Sequence, residues 1–298
     1  MSATPLLTLL TDFGLQDTYV AQMHGVIAGI APTARVIDLA HGIQPQNRLH
    51  AAVALVDAVE AFPDGTVHVV VVDPGVGSAR RAIAAEIGPW RFVGPDNGVL
   101  TGVLDRWPLH RAVSLTKTRF FRPNVSRTFH GRDVFAPVAA QLATGVPMDE
   151  LGEPFVDPLV RLDWPRPTMS ARQITGQVLV VDRFGNLITN ITADLLTTLG
   201  ATGEGLRSPV LLATSEPVPD TREDTGGSKP AASGTRAPTV EVTAGLHTIG
   251  PVVGCYAERP GQPLALIGSS GRLEIAVGNG SAAETLQLGV GAKVNVQW

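Results

Sequence analysis

The residues best suited to chemistry cluster behind one run of valines, in Val67–Arg81, VHVVVVDPGVGSARR. Asp73 ends the run, a Pro-Gly turn follows, and Arg80 and Arg81 come seven and eight positions after the acid. A loop that folds back would set a guanidinium beside Asp73 and hold the carboxylate ionised and oriented. Such a carboxylate can polarise a small molecule. The same residues also suit an ordinary turn, since Asp-Pro-Gly is common turn chemistry and Gly75 and Gly77 supply a permissive backbone. They do not form a phosphate loop, because this segment has neither a Gly-Lys-Ser/Thr ending nor GxGxxG.

Other candidates sit at comparable places. Asp12 follows the apolar stretch Leu6–Leu10 and lies too early to cap the next helix, which makes it a site candidate. Asp17 is equally suited to capping that helix and to touching a ligand. Asp96-Asn97-Gly98 adds a third acid in a glycine-rich turn expected to face the same crevice, although Asn-Gly alone reads as a plain turn. His130, in Thr128-Phe129-His130-Gly131-Arg132-Asp133, precedes a helix whose positive end would lower its pKa and leave a neutral imidazole able to accept a proton. Further on, Asp182-Arg183-Phe184-Gly185-Asn186 and Gly268-Ser269-Ser270-Gly271-Arg272 each join two strands. Together they offer an amide for the edge of an adenine ring and flat residues, Phe184 and Tyr256, for its faces.

The elements that must carry these residues change character along the chain. A near-continuous valine run broken only by His68 is what a strand buried on both faces looks like, so Val67 opens a central strand of a parallel sheet. Asp73 then falls at its C-terminal edge, where open α/β sheets bind ligands. Strands at Leu6–Leu10 and Arg35–Leu39, a helix over Thr18–Ile30 and another from Asn47 to about Ala61, with Leu49, Val53, Val56 and Val59 inward, complete a β-α-β-α-β opening. A hairpin over Ala82–Ile87 and Arg91–Val93, a helix near Val99–Asp105, a strand at Ala112–Leu115 and a helix through Leu142 follow. The proline-rich, irregular stretch Pro147–Thr168 marks the boundary. Beyond it the period becomes two, with strands at Ile174–Val181, Leu187–Ile191, Val210–Ala213, Val240–Val242, Leu264–Ile267, Leu273–Val277 and Lys293–Val296. The expectation is an α/β domain over 1–160 with a mainly parallel sheet, and a small all-β, barrel-like domain over 170–298. Residues 216–238, with no aromatic side chain, are expected to be a disordered surface loop.

Composition narrows the partners. A chain of 298 residues with net charge −4 and scattered Lys and Arg offers no basic face for nucleic acid. No apolar run approaches the roughly 20 residues that cross a bilayer, so no membrane partner is expected. A single cysteine, Cys255, excludes an internal disulfide and suits a reducing compartment. With no basic-then-apolar leader, the expected location is cytoplasmic.

Six motifs in order, TDFGLQD, VDPGVGSARR, GPDNG, TFHGRD, VDRFGN and GSSGRLEIA, make the chain resemble the S-adenosyl-L-methionine (SAM) hydroxide adenosyltransferases, hydrolases related to fluorinases and chlorinases. The resemblance spans nearly the whole chain apart from Glu216–Pro238. It implies an N-terminal α/β domain, a C-terminal β-barrel, and a homotrimer whose sites lie where one subunit's N-domain meets its neighbour's C-domain. It also implies the reaction, in which water displaces L-methionine from the ribose 5′ carbon of SAM to give adenosine. SAM is then the substrate, and no cofactor or metal is expected. By motif, Asp73, Arg80 and His130 match a catalytic triad, and Asp12 matches the acid that grips the ribose diol. Asp17, Asp182 and Ser269 match positions around the methionine moiety, while Phe129, Phe184, Asn186 and Tyr256 match the wall of the adenosine pocket. Either Asp73 or His130 could take the proton from water. Asp73 stands where the halogenating relatives carry tyrosine, and a carboxylate there would repel a halide. The alternatives are halide-dependent adenosyl transfer and a SAM- or adenosine-binding protein without catalysis.

Overall fold

A computed structural model of the protein describes residues 4–198 and 240–298. The strand expected at Val210–Ala213 and the loop expected over 216–238 lie outside the described residues. The chain divides into two compact units, Met1–Trp164 and Pro165–Trp298.

The first unit runs β1 (Leu6–Thr11), α1 (Tyr19–Ile30), β2 (Arg35–Ala40), α2 (Arg48–Ala58), β3 (Val67–Val71), β4 (Ala82–Ile87), β5 (Trp90–Pro95), α3 (Thr101–Arg106), β6 (Leu109–Leu115), α4 (Ala136–Ala143) and β7 (Gly152–Pro154). Its sheet has the order β2-β1-β3-β5-β4-β6-β7. β1 pairs in parallel with β2 and β3, and β3 with β5. β4 is antiparallel to both β5 and β6, and β7 to β6, so all strands but β4 and β7 point the same way.

β3 is buried along its whole length because both its faces are covered. Val67, Val69 and Val71 pack with Met23 and Ile27 of α1 and Val138 of α4, while Val70 and Val72 pack with Leu55 and Val56 of α2 and Val103 of α3. Side chains alternate across a strand, so a run of valines satisfies two cores at once. Parallel pairing then brings the ends of β1 and β3, with Asp12 and Asp73 just beyond them, to one edge of the sheet.

Local chemistry sets several boundaries. The Asn47 side chain accepts from the His50 backbone N–H at 2.9 Å, capping α2. Thr18 occupies the cap position of α1, but its hydroxyl accepts from Gln22 Nε2 at 3.0 Å and not from a backbone N–H, so neither it nor Asp17 caps that helix. Of the expected stripe Val53, Val56 and Val59 are buried and Leu49 only partly so, while Ala51, Ala52 and Leu55 are buried too, because α2 is covered more broadly than one stripe. The stretch 147–168 is not wholly irregular, since Gly152–Pro154 adds β7 to the edge of the sheet.

The second unit runs β8 (Thr168–Ser170), β9 (Gln173–Val181), β10 (Leu187–Thr192), α5 (Ala193–Thr198), β11 (Glu241–Ala244), β12 (His247–Gly250), β13 (Val252–Val253), β14 (Pro263–Ile267), β15 (Arg272–Val277), α6 (Ala282–Leu286) and β16 (Lys293–Gln297). The strand path is β12-β11-β16-β9-β10-β15-β14-β13, with β8 on β9. Arg259 links β12, at one end of this path, to β14, next to the other end, its Nη1 donating to Ile249 O at 2.5 Å and to Pro263 O at 3.4 Å. The result is an all-β, nearly closed barrel around Ile174, Leu187, Val242, Ile275 and Val294. Among the described residues no helix is long and apolar enough to cross a membrane.

His68 is the one polar residue in the valine strand and is fully buried, against Phe92 at 5.2 Å between ring centroids and with Nδ1 2.7 Å from Thr8 Oγ1. Burial lowers its pKa from 6.5 to about 4. The unfolded chain therefore binds a proton that the folded chain refuses, and stability falls as pH drops below 6.5 toward 4. The expected loss through His68 is about 2 kcal/mol between pH 7 and pH 5, roughly 1.36 kcal/mol for each of the roughly 1.5 pH units below 6.5. Urea unfolding at both pH values measures it. His68→Leu should flatten the dependence, and a slope equal to that of the wild type would remove His68 as its source.

Candidate active site

The segment after β3 doubles back through two successive turns. Val76 N donates to Asp73 O at 3.2 Å, and Ser78 N donates to Gly75 O at 3.0 Å. Ser78 Oγ then accepts from Arg80 N at 3.3 Å, which returns Arg80 to the acid. Gly77 has φ +77°, and a Cβ there would lie 2.5 Å from Arg127 O. Only glycine lets this loop lie so close to the irregular segment that leads to His130.

Arg80 joins the two other residues. Its Nε donates to Asp73 Oδ1 at 2.9 Å and Oδ2 at 3.0 Å, and its Nη2 donates both to Oδ2 and to His130 Nδ1, the latter at 3.0 Å. The side chains of Arg80 and Asp73 are only 10% and 5% exposed. A guanidinium has donors alone, so His130 Nδ1 must be the unprotonated nitrogen and the imidazole proton sits on Nε2. Burial lowers the pKa of His130, and the charge of Arg80 lowers it further against the opposing pull of Asp73 and Asp133. The neutral imidazole expected for His130 is thus traced to desolvation and to Arg80. Its proton-accepting nitrogen is already taken.

The turn after His130 is a π-helical turn, Gly131–Phe135, which runs into α4 with Pro137 in the first turn of that helix. Asp133 anchors it. Its buried carboxylate accepts from Arg132 Nε at 2.7 Å, Arg132 Nη2 at 3.0 Å, Arg122 Nη1 at 3.3 Å and Ser126 N at 2.8 Å. Arg132 also lies over the Phe129 ring, 4.8 Å from its centroid. Single π turns inside helices recur at functional sites because the extra residue re-aims what precedes it.

Asp73 and His130 face an open cleft of about 370 Å³ whose wall also includes Asp12, Phe129, Phe13, Tyr19, Pro45 and Gln46. Phe129 meets Phe13 and Tyr19 edge to face, at 5.7 and 5.2 Å between centroids. Asp12 Oδ2 accepts from Gln46 N at 2.7 Å, and Gln46 holds φ +65°, an uncommon conformation for a residue with a side chain. The cleft positions of Tyr19, Pro45 and Gln46 lie in none of the quoted motifs, and Phe13, although inside TDFGLQD, was not singled out. The available signal was the loop after β2, which ends at the same sheet edge as Asp12 and Asp73.

Other candidates go elsewhere. Asp17 is exposed, makes no hydrogen bond among the described residues and is not part of the cleft wall. Asp96 does not join the crevice: it is buried against Arg81, which donates from Nε at 2.8 Å, and it accepts from Val160 N at 2.8 Å. Arg81 is thereby turned away from Asp73. Asn97 is likewise structural, donating to Val72 O at 2.9 Å.

In the second unit Asp182 organises the β9–β10 hairpin, its Oδ1 accepting from Phe184 N and Asn186 N at 2.8 Å each and its Oδ2 from Asn186 Nδ2 at 3.0 Å. This leaves Phe184 76% exposed at the hairpin tip and Asn186 buried. Ser269 is exposed in the β14–β15 turn. Tyr256 donates its hydroxyl to Glu274 Oε1 at 2.7 Å, and burial together with that contact raises the tyrosine pKa. Glu274 was not among the sequence candidates; its signal was that it is the one acid in the otherwise largely apolar strand β15. Burial raises its pKa too, and both groups feel the charge of Asp182.

The SAM hydroxide adenosyltransferase N-terminal domain model matches residues 7–152, and the corresponding C-terminal domain model matches residues 176–214 and 229–295. A protein of Salinispora tropica named (R)-S-adenosyl-L-methionine hydrolase is 40% identical over 299 residues, 99% of each chain. A protein of Actinoplanes sp. named fluorinase is 30% identical over 64% of this chain and 72% of its own. The crystal structure of an uncharacterized conserved protein from Thermotoga maritima superposes with a TM-score of 0.83 and 32% identity, covering 98% of this chain and all of that one. By both domain models and by full-length similarity, the chain belongs to the SAM hydroxide adenosyltransferase family.

Proposed function

We propose that this protein hydrolyses S-adenosyl-L-methionine to adenosine and L-methionine, with Asp73, Arg80 and His130 directing one water at the ribose 5′ carbon. The observation that carries the reading is the bridging guanidinium, which bonds the Asp73 carboxylate and His130 Nδ1 at once beside an open cleft. The full-length similarity to a hydrolase of that name supports the same chemistry.

The roles follow from what each atom has left to offer. Asp73 Oδ1 makes one contact with Arg80 and Oδ2 makes two, so Oδ1 keeps an acceptor position for a water proton. His130 Nε2–H is a donor that steadies the water oxygen as it becomes hydroxide-like. The proton passes toward Asp73 and on to solvent while oxygen bonds to C5′. The C5′–S bond breaks with its electron pair on sulfur, and methionine leaves neutral at that atom. No anion forms on the leaving group, so a metal or cofactor has no part in the proposed step. The gain lies in alignment and in stripping solvent from the nucleophile. Asp12 is assigned to the ribose hydroxyls, with Phe129 on the wall beside them.

Asp182, Phe184, Asn186, Tyr256 and Ser269 are assigned to the rest of the substrate, and Asp17 to the methionine end. Because Phe184 is so exposed, we place it against the nucleoside held by the next copy in a homotrimer. Sedimentation equilibrium should give three times the monomer mass, and a monomer with full turnover would overturn the arrangement. Product analysis in ¹⁸O-water with SAM and chloride should yield adenosine labelled at its 5′ oxygen. A 5′-halogenated nucleoside would replace hydrolysis with halide transfer, and the absence of any turnover would leave a binding protein. Asp73→Ala and His130→Ala should each lower kcat by about 100-fold or more, on the scale of lost general acid–base and positioning terms, while still binding adenosine in calorimetry. Unchanged turnover in both would take these residues out of the mechanism.

A further inference from the structure

A second polar chain lies directly behind Asp12. Thr11, the last residue of β1, is fully buried, and its Oγ1 is 2.8 Å from His41 Nδ1 while accepting from Phe13 N at 3.2 Å. His41, also buried, follows β2 and receives Gly14 N on its carbonyl at 2.8 Å. Its Nε2 is 3.0 Å from Asp38 Oδ1, off the line of a good hydrogen bond, and His24 of α1 holds the same oxygen at 2.8 Å. The series carboxylate, imidazole, hydroxyl has the composition of a nucleophile relay. It cannot serve as one, because Thr11 has no exposed surface on which to meet a substrate.

What the chain does touch is the segment that carries Asp12. Both neighbours of Asp12 are fixed through it, Thr11 by its side chain and Phe13 by its N–H, and Gly14 is fixed by the His41 carbonyl. Farther along the His41 loop, Gln46 N binds the Asp12 carboxylate itself. The two loops are therefore stapled on both sides of the acid, and His41 supplies two of the staples. We infer that His41 is a positioning residue for Asp12: with Thr11 it sets where that carboxylate meets the ribose hydroxyls, and it acts on substrate binding without touching substrate. Asp38, itself held by His24, lies at the outer edge of the imidazole. This rests on the assignment of Asp12 to the ribose.

The test is a set of steady-state measurements with SAM on the full chain. His41→Ala should raise KM about tenfold, the scale of one lost hydrogen bond to a buried group, with kcat within about twofold. The double variant Asp12→Ala/His41→Ala should be no worse in KM than Asp12→Ala, since His41 acts only through Asp12. His41→Asn, which returns a polar atom near the Nδ1 position, should recover part of the loss. An unchanged KM in His41→Ala, additive effects in the double variant, or a fall confined to kcat would each overturn the inference. If His41→Ala does not fold, Thr11→Val removes the same link at constant shape, with the same tenfold rise expected and an unchanged KM equally fatal. Should Asp12→Ala itself leave KM unaltered, the ribose assignment fails, a result distinct from failure of His41 to act on a working Asp12.

Discussion

A guanidinium offers five donors and no acceptor, and that asymmetry organises the first unit's edge. Arg80 lies almost wholly out of solvent between a carboxylate and an imidazole, so its charge is answered by Asp73 while Nη2 also donates to His130. Removing either partner of such a buried pair leaves an uncompensated charge, at a cost of about 3–5 kcal/mol. Around this contact the backbone has little freedom. The loop after β3 must reverse twice, Gly77 must lie against Arg127, and the π turn must start at Gly131. Two segments, the loop after β3 and the stretch that runs through His130 into α4, are thus joined by one side chain.

The architecture was legible because it follows from repetition. Alternating burial explains why unbroken valines mark a strand covered on both faces, and a change of period marked the passage to an all-β unit. Short pieces escaped notice for the complementary reason. β7, β8 and β13 are two or three residues long and carry no period, and each exists because a longer neighbour offers it hydrogen-bonding partners.

Side-chain destinations were harder. Two adjacent arginines follow Asp73, and nothing local distinguishes them; Arg80 returns to the acid, while Arg81 goes to Asp96 because Asp157 and the Pro158 carbonyl, far along the chain, complete its surroundings. That same pairing withdraws Asp96 from the crevice it was expected to face. The neutral form of His130 was foreseen from the helix end alone. A helix end was visible in the sequence, whereas burial and a guanidinium from fifty positions away were not. Residues such as Gln46 enter the cleft through backbone geometry, which a string of side chains does not display.

The fixed tautomer of His130 makes the mouth of the site directional. One rim, Asp73 Oδ1, can only be addressed by a molecule that gives a hydrogen, and the other, His130 Nε2–H, only by one that receives it. Water carries both polarities in a single atom's reach. A chloride ion carries one, so it would satisfy the imidazole and leave the carboxylate facing bare negative charge. On the proposed mechanism, discrimination between solvent and salt rests on where one hydrogen sits, on Nε2 rather than Nδ1 of His130.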